Sequence, residues 1–179
     1  MPRRPAFTLV ELLVVIAIIG LLSTVAVVAT SSARVNARNT QRKASMVQIS
    51  KALELYYADN NSYPSTGGAS WGNCSFYGSK ADSGALAWIT NLTPTYMASL
   101  PHDQDTNRGD ISQNSYCSTI PTRACYLYKS DGIDYKLSAH CLPEGSPSSI
   151  AADPFSDPGA GGVRAGYDYA LYTPGAASW

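Results

Sequence analysis

The sequence predicts an α+β fold, with one long N-terminal helix followed by a small antiparallel β head. Three observations predict it. A run that stays apolar or small extends from Phe7 to Ala29 with a single charge, Glu11. No proline or glycine interrupts Leu21 through Ser62, and Met46, Ile49, Leu53 and Tyr56 recur there at three- and four-residue spacing, as an apolar helix face does. From residue 59 onward Gly, Pro, Ser and Asn are frequent and the β-prone runs are short.

The elements follow in order. Residues 1–6 are a short basic leader with Arg3 and Arg4. Residues 7–29 have the length and hydropathy of a membrane-crossing helix, roughly 35 Å at 1.5 Å per residue, and the basic leader places their start on the cytoplasmic side. A secretory signal peptide is the competing reading, but its apolar core is shorter, about 7–15 residues. Glu11 is costly in such a run. No cation within the segment answers it, so the sequence points to a partner outside. The helix is expected to continue as an amphipathic segment over 30–58, ended by Asp59, Asn60 and Asn61 ahead of Pro64.

Residues 59–179 form the head, with a C-terminal segment rich in aromatics, Gly and Pro that is too aromatic for a simple disordered tail. Ala124–Ser130, Asp131-Gly132 and Ile133–Cys141 read as a hairpin with a two-residue type I′ turn. Tyr135, Leu137, Ala139 and Cys141 then share one face, and Lys136, Ser138 and His140 the other. A strand is expected at Tyr116 and Cys117, and a short helix over Ala85–Leu92 carrying Leu86, Trp88, Ile89 and Leu92.

Charge divides along the chain. Residues 30–51 hold five bases (Arg34, Arg38, Arg42, Lys43, Lys51) and no acid, whereas residues 52–179 hold six bases and twelve acids. The basic stripe is read as meeting anionic lipid or the acidic heads of neighbouring copies. DNA is the alternative partner, but the head carries no nucleic-acid motif.

Cys74, Cys117, Cys125 and Cys141, an even set, point to two disulfides. With a two-residue turn, residue 125 faces 138, so Cys125 and Cys141 lie on opposite sides of the hairpin. That favours Cys117–Cys125 with Cys74–Cys141. Asp103, Asp105, Asn107 and Asp110 offer alternate oxygen ligands of the kind calcium takes. The pattern is broken, because Gly109 comes one place late and Asn114 stands where a glutamate is needed, so a solvated turn is the preferred reading. No nucleophile elbow, phosphate loop or paired metal histidines are present, and no enzyme is expected.

Ala6, Phe7, Thr8, Leu9, Val10 and Glu11, behind a basic leader and ahead of a continuous apolar helix, resemble the class III signal of type IV pilins and type II secretion pseudopilins. The order of Leu55–Pro64, Tyr96–Pro101 and the hairpin containing Tyr135 is loosely similar to the head of major pseudopilins. The resemblance implies a pilin-like fold and cleavage between Ala6 and Phe7 by a prepilin peptidase. It also implies N-methylation of Phe7, and pairing of Glu11 with the amine of a neighbouring subunit, which would set the register of assembly. It implies as partners other copies in a helical filament, the inner-membrane assembly machinery and, before assembly, the lipid bilayer. The precursor would be a single-pass inner-membrane protein with its head outside the cytoplasm, and the filament periplasmic or extracellular. Major pseudopilins bind calcium further along the head, where no residue here maps; otherwise no cofactor is implied. Two residues depart from the commonest pattern, Ala6 for Gly and Val28 for a mid-helix proline. A pilus subunit, a secretion pseudopilin and a monomeric membrane-anchored binding protein are the functions that compete.

Overall fold

A computed structural model describes residues 7–74, 77–78, 80–103, 117, 124–159 and 165–179, with backbone alone for 24–29. The chain divides into two compact units, Met1–Ala37 and Arg38–Trp179. Helix α1, Leu9–Asn60, contributes to both. Among the described residues no helix is long and apolar enough to cross a membrane; the side chains of 24–29, inside the expected span, lie outside them.

The end of α1 is set by asparagines. Asn61 takes a left-handed φ of 53° and its N–H bonds to the Tyr57 carbonyl at 2.8 Å. The Asn60 amide donates to the Tyr56 carbonyl at 2.9 Å. Both satisfy carbonyls that the last turn would otherwise leave open.

In the second unit the stripe on α1 is buried as its spacing predicts. Met46, Ile49 and Leu53 are fully enclosed, and Tyr56 packs at the edge of the same cluster. They meet one face of a four-stranded antiparallel sheet in the order β1 (Trp71–Gly72), β2 (Cys125–Ser130), β3 (Tyr135–His140) and β4 (Asp168–Tyr172). Tyr126 and Tyr128 from β2, Tyr135, Leu137 and Ala139 from β3 and Tyr169 from β4 supply that face. β4 comes from the C-terminal segment, whose role the sequence left open. A short helix α2 (Pro147–Ala151) precedes it, capped by the Ser146 side chain.

The hairpin register differs from expectation. Ser130 pairs with Tyr135 and Cys125 with His140, so the loop has four residues, 131–134. Asp131 Oδ1 accepts the N–H groups of Ile133 and Asp134, each at 2.9 Å, and the loop closes around this turn. Those N–H groups, Asp134 first, hold the Asp131 carboxyl below its usual range. A shift of two residues preserves strand faces. Tyr135, Leu137, Ala139 and Cys141 therefore all lie in the main cluster, as the pattern requires.

The opposite face, Lys136, Ser138 and His140, is buried rather than solvated. Lys136 Nζ meets Asp157 at 2.6 Å and the Trp179 carbonyl at 2.9 Å, while His140 Nδ1 lies 2.7 Å from Asp168. A Cβ at Gly159 would fall 2.7 Å from the backbone oxygen of Trp179, besides crowding Lys136 Nζ, so the backbone reaches this site only as glycine.

Two disulfides form, with pairings other than those expected: Cys74–Cys125 and Cys117–Cys141. Cys125 and Cys141 do lie on opposite faces. Cys125 joins Cys74 and Leu127 in a small outer cluster beside Tyr77, and Cys117 and Cys141 belong to the main one. The error was in Cys117, whose backbone is helical, not extended; Tyr116 is outside the described residues. The helix expected over 85–92 is absent as well. Gly84 at φ 78° and Asn91 at φ 64° turn the chain there, and Ala81 bridges to Ala87. Trp88, Ile89 and Leu92 are still buried, whereas Leu86 is exposed.

Burial pushes the phenols of Tyr126 and Tyr169 up to about 12. In the unfolded chain they ionise near 10. Their contribution to stability is therefore complete below about pH 10 and is lost as pH rises through about 12. Absorbance at 295 nm should show these phenols ionising well above the exposed ones; all phenols ionising at about pH 10 while the far-ultraviolet circular dichroism is intact would contradict this.

Candidate functional site

Two features of α1 bear on function: its first turn and its basic face. Thr8 is the N-cap and Glu11 the third helical residue. The Thr8 N–H and hydroxyl donate to Glu11 Oε2 at 2.8 and 2.7 Å, and the Glu11 N–H returns a bond to Thr8 Oγ1 at 3.2 Å. This is a reciprocal capping box, and each partner satisfies donors that a helix start leaves open. Glu11 thus has hydrogen-bond partners, though no cation, inside its own segment. Thr-x-x-Glu is the signal that carries this in the sequence. The charge itself is not answered, since no cation lies within ion-pair distance of Glu11 among the described residues.

Around this turn the large apolar side chains are uncovered. Phe7 is 82% exposed and Leu9 78%, and every large apolar residue from there to Leu22 is exposed. A contiguous apolar surface of this extent marks a site that meets a protein or a membrane. Beside Gly20 a Cβ would meet nothing within 4 Å, so this glycine leaves a shallow notch in the surface. Of the residues expected at the cleavage site, Phe7 is in place at the foot of α1; Ala6 is outside the described residues.

The basic face has another destination than expected. Arg42 is buried and its guanidinium binds Asp103 and, at 2.6 Å, Glu144. Arg38 forks onto both Glu144 oxygens, with Nε–Oε1 at 2.7 Å, and Lys43 pairs with Asp153. The Asn39 side chain donates to the Glu144 carbonyl at 2.7 Å and accepts the Glu144 N–H at 3.0 Å. Burial opposes the charge on Arg42, but Asp103 and Glu144 more than offset it and hold the guanidinium protonated. Three cations read as facing lipid, neighbours or DNA are thus engaged by acids of the same head. Nothing in the sequence signalled Glu144 or Asp153, which lie about a hundred residues further along.

Asp103, the first residue of the candidate calcium set, pairs through Oδ2 with Arg42. Asp105, Asn107 and Asp110 lie outside the described residues. Substituting Arg42 by Met should destabilise the head by about 3–5 kcal/mol, because it takes the counter-charge from the partly buried Asp103 and leaves Glu144 with Arg38 alone. Chemical denaturation checks this, and a loss below about 1 kcal/mol would mean that the bridges are solvated.

Residues 1–27 match the family model of the prokaryotic N-terminal methylation motif. The chain is 38% identical over 64 residues to type II secretion system core protein G of Pectobacterium carotovorum, covering 36% of this chain and 41% of that protein. Core protein G of Pseudomonas aeruginosa is also 38% identical over 64 residues, covering 36% and 45%. The type IV wide pilus major component PilA4 of Thermus thermophilus is 43% identical over 65 residues, covering 36% and 50%. The chain thus spans half or less of the length of these relatives. No solved structure matches it. The motif and these relatives support a place in the pilin and pseudopilin family.

Proposed function

We propose that this chain is a structural subunit of a type IV pilus-like filament. A prepilin peptidase would cut between Ala6 and Phe7, Phe7 would be N-methylated, and the subunit would assemble through its N-terminal helix. The observation that carries this reading is the first turn of α1. There the carboxylate of Glu11 has hydrogen bonds but no counter-charge among the described residues, amid exposed apolar side chains one turn from a new amine at Phe7. An amine from a neighbouring copy would supply that charge, and a buried carboxylate left alone would be costly.

Before assembly the apolar surface would lie in the inner membrane, with the head outside the cytoplasm. Apolar neighbours would then replace lipid, so the selectivity of assembly would rest on packing and polar contacts. The role is mechanical, and no enzyme activity is proposed. A second reading, a pseudopilin acting in protein export, draws on the core protein G relatives. Export of a reporter without surface filaments would favour it over a pilus.

N-terminal mass spectrometry of the mature protein should give methylated Phe7, whereas an intact Met1 would end the processed-filament reading. Glu11→Ala at normal expression should cut filament yield by at least about tenfold, equivalent to about 1.4 kcal/mol. Filament counts equal to the parent's would remove the register role.

A further inference from the structure

The head neutralises its acids unevenly. Asp82, Asp103, Glu144, Asp153, Asp157 and Asp168 each lie against a Lys, Arg or His of the same head. Glu54, Asp59, Asp131 and Asp134 have no such partner among the described residues. These four sit at the end of α1 and in the β2–β3 loop, and Tyr63 ties the two together. Its N–H bonds to the Gly132 carbonyl at 2.8 Å, its hydroxyl to Glu54 at 3.0 Å, and its ring packs 4.8 Å from that of Tyr57. On the loop Ile133 is 77% exposed, and on the helix Tyr57 is 40% exposed. An uncovered apolar ridge thus stands among unneutralised carboxylates.

The cations sort in the opposite sense. Arg38, Arg42 and Lys43 are engaged within the head, and Lys80 and Lys129 lie over the rings of Trp71 and Trp179. Lys51 is on the same stretch of α1 as Glu54. Arg34 is exposed, has no acid within ion-pair distance among the described residues, and is the one described cation of the unit Met1–Ala37.

We propose that the ridge of Ile133 and Tyr57, with Glu54 and Asp131 beside it, receives Arg34 of a second copy of this chain. The fit is chemical. The apolar stem of an arginine covers Ile133, its planar head stacks on a tyrosine ring, and its donors reach carboxylates on either side. Lysine offers no equivalent planar fork. The contact rests on the filament reading above and assigns to it a surface on the head, apart from the N-terminal helix.

The test uses the full-length chain and filaments sheared from cells. Arg34→Cys combined with Ile133→Cys should give oxidant-dependent dimers and higher ladders that neither single variant gives. Arg34→Glu should lower filament yield by at least about tenfold, and combining it with Glu54→Arg should restore most of it. Both positions are exposed and neither side chain closes a turn, so the unfolding midpoint of the head should stay within a few degrees of the parent's. Filaments that form without cross-links, or that ignore Arg34→Glu, overturn the contact and leave the filament reading standing. If the parent chain forms no filaments, both fall.

Discussion

Arg42 is the constraint on which the head depends. A guanidinium removed from water has to be neutralised where it stands. Here that takes Asp103 and Glu144, residues 61 and 102 positions away in sequence. Their segments are thereby fixed against one turn of α1, and Asn39 holds the backbone at Glu144 from the turn before. Apolar packing by Met46, Ile49 and Leu53 supplies most of the driving force for this association, but it is forgiving of small slides. The ionic contacts are less so, since a slide of a fraction of a turn breaks both bridges of a buried guanidinium. Their contribution is as much to the register of helix on head as to stability.

Much of this was legible in the sequence, where the information is local. The stripe on α1, its stop at the asparagines and the alternation along β3 all follow from periodicity. The hairpin shows where such reading ends. Asp-Gly suggested a two-residue turn, and the Asp131 carboxylate instead closed a four-residue loop. Strand faces survived because the slip was even. The capping box is written in the spacing of Thr8 and Glu11, a local signal that the charge of Glu11 overshadows. Cysteine pairing and the fate of the basic stripe were not legible. Each depends on residues brought together from far apart, and a stripe of arginines reads the same whether it meets lipid, a neighbour or its own head.

The outer face of the sheet makes the same point from the other side. Alternation placed Lys136, Ser138 and His140 together on one face, and antiparallel sheets commonly leave a polar face to water. The C-terminal segment covers them instead, and its polar partners are matched to what they cover: Asp157 and the Trp179 carbonyl for Lys136, Asp168 for His140. A segment with little periodicity of its own thus gives the sheet both its fourth strand and a lid. Lys129 over the Trp179 ring holds the end of that lid by a contact with both apolar and electrostatic parts.

The two disulfides are interleaved along the chain, because Cys117 falls inside the span closed by Cys74 and Cys125, and Cys125 inside that closed by Cys117 and Cys141. A single backbone break anywhere from Cys74 to Cys141 therefore separates nothing, since at least one bridge always spans it. Successive bridges, Cys74–Cys117 and Cys125–Cys141, would leave the stretch between Cys117 and Cys125 unprotected. The covalent continuity of the head is redundant over the stretch that contains its first strand, its hairpin and the long connection between them, so one proteolytic nick there leaves a scar and not two fragments.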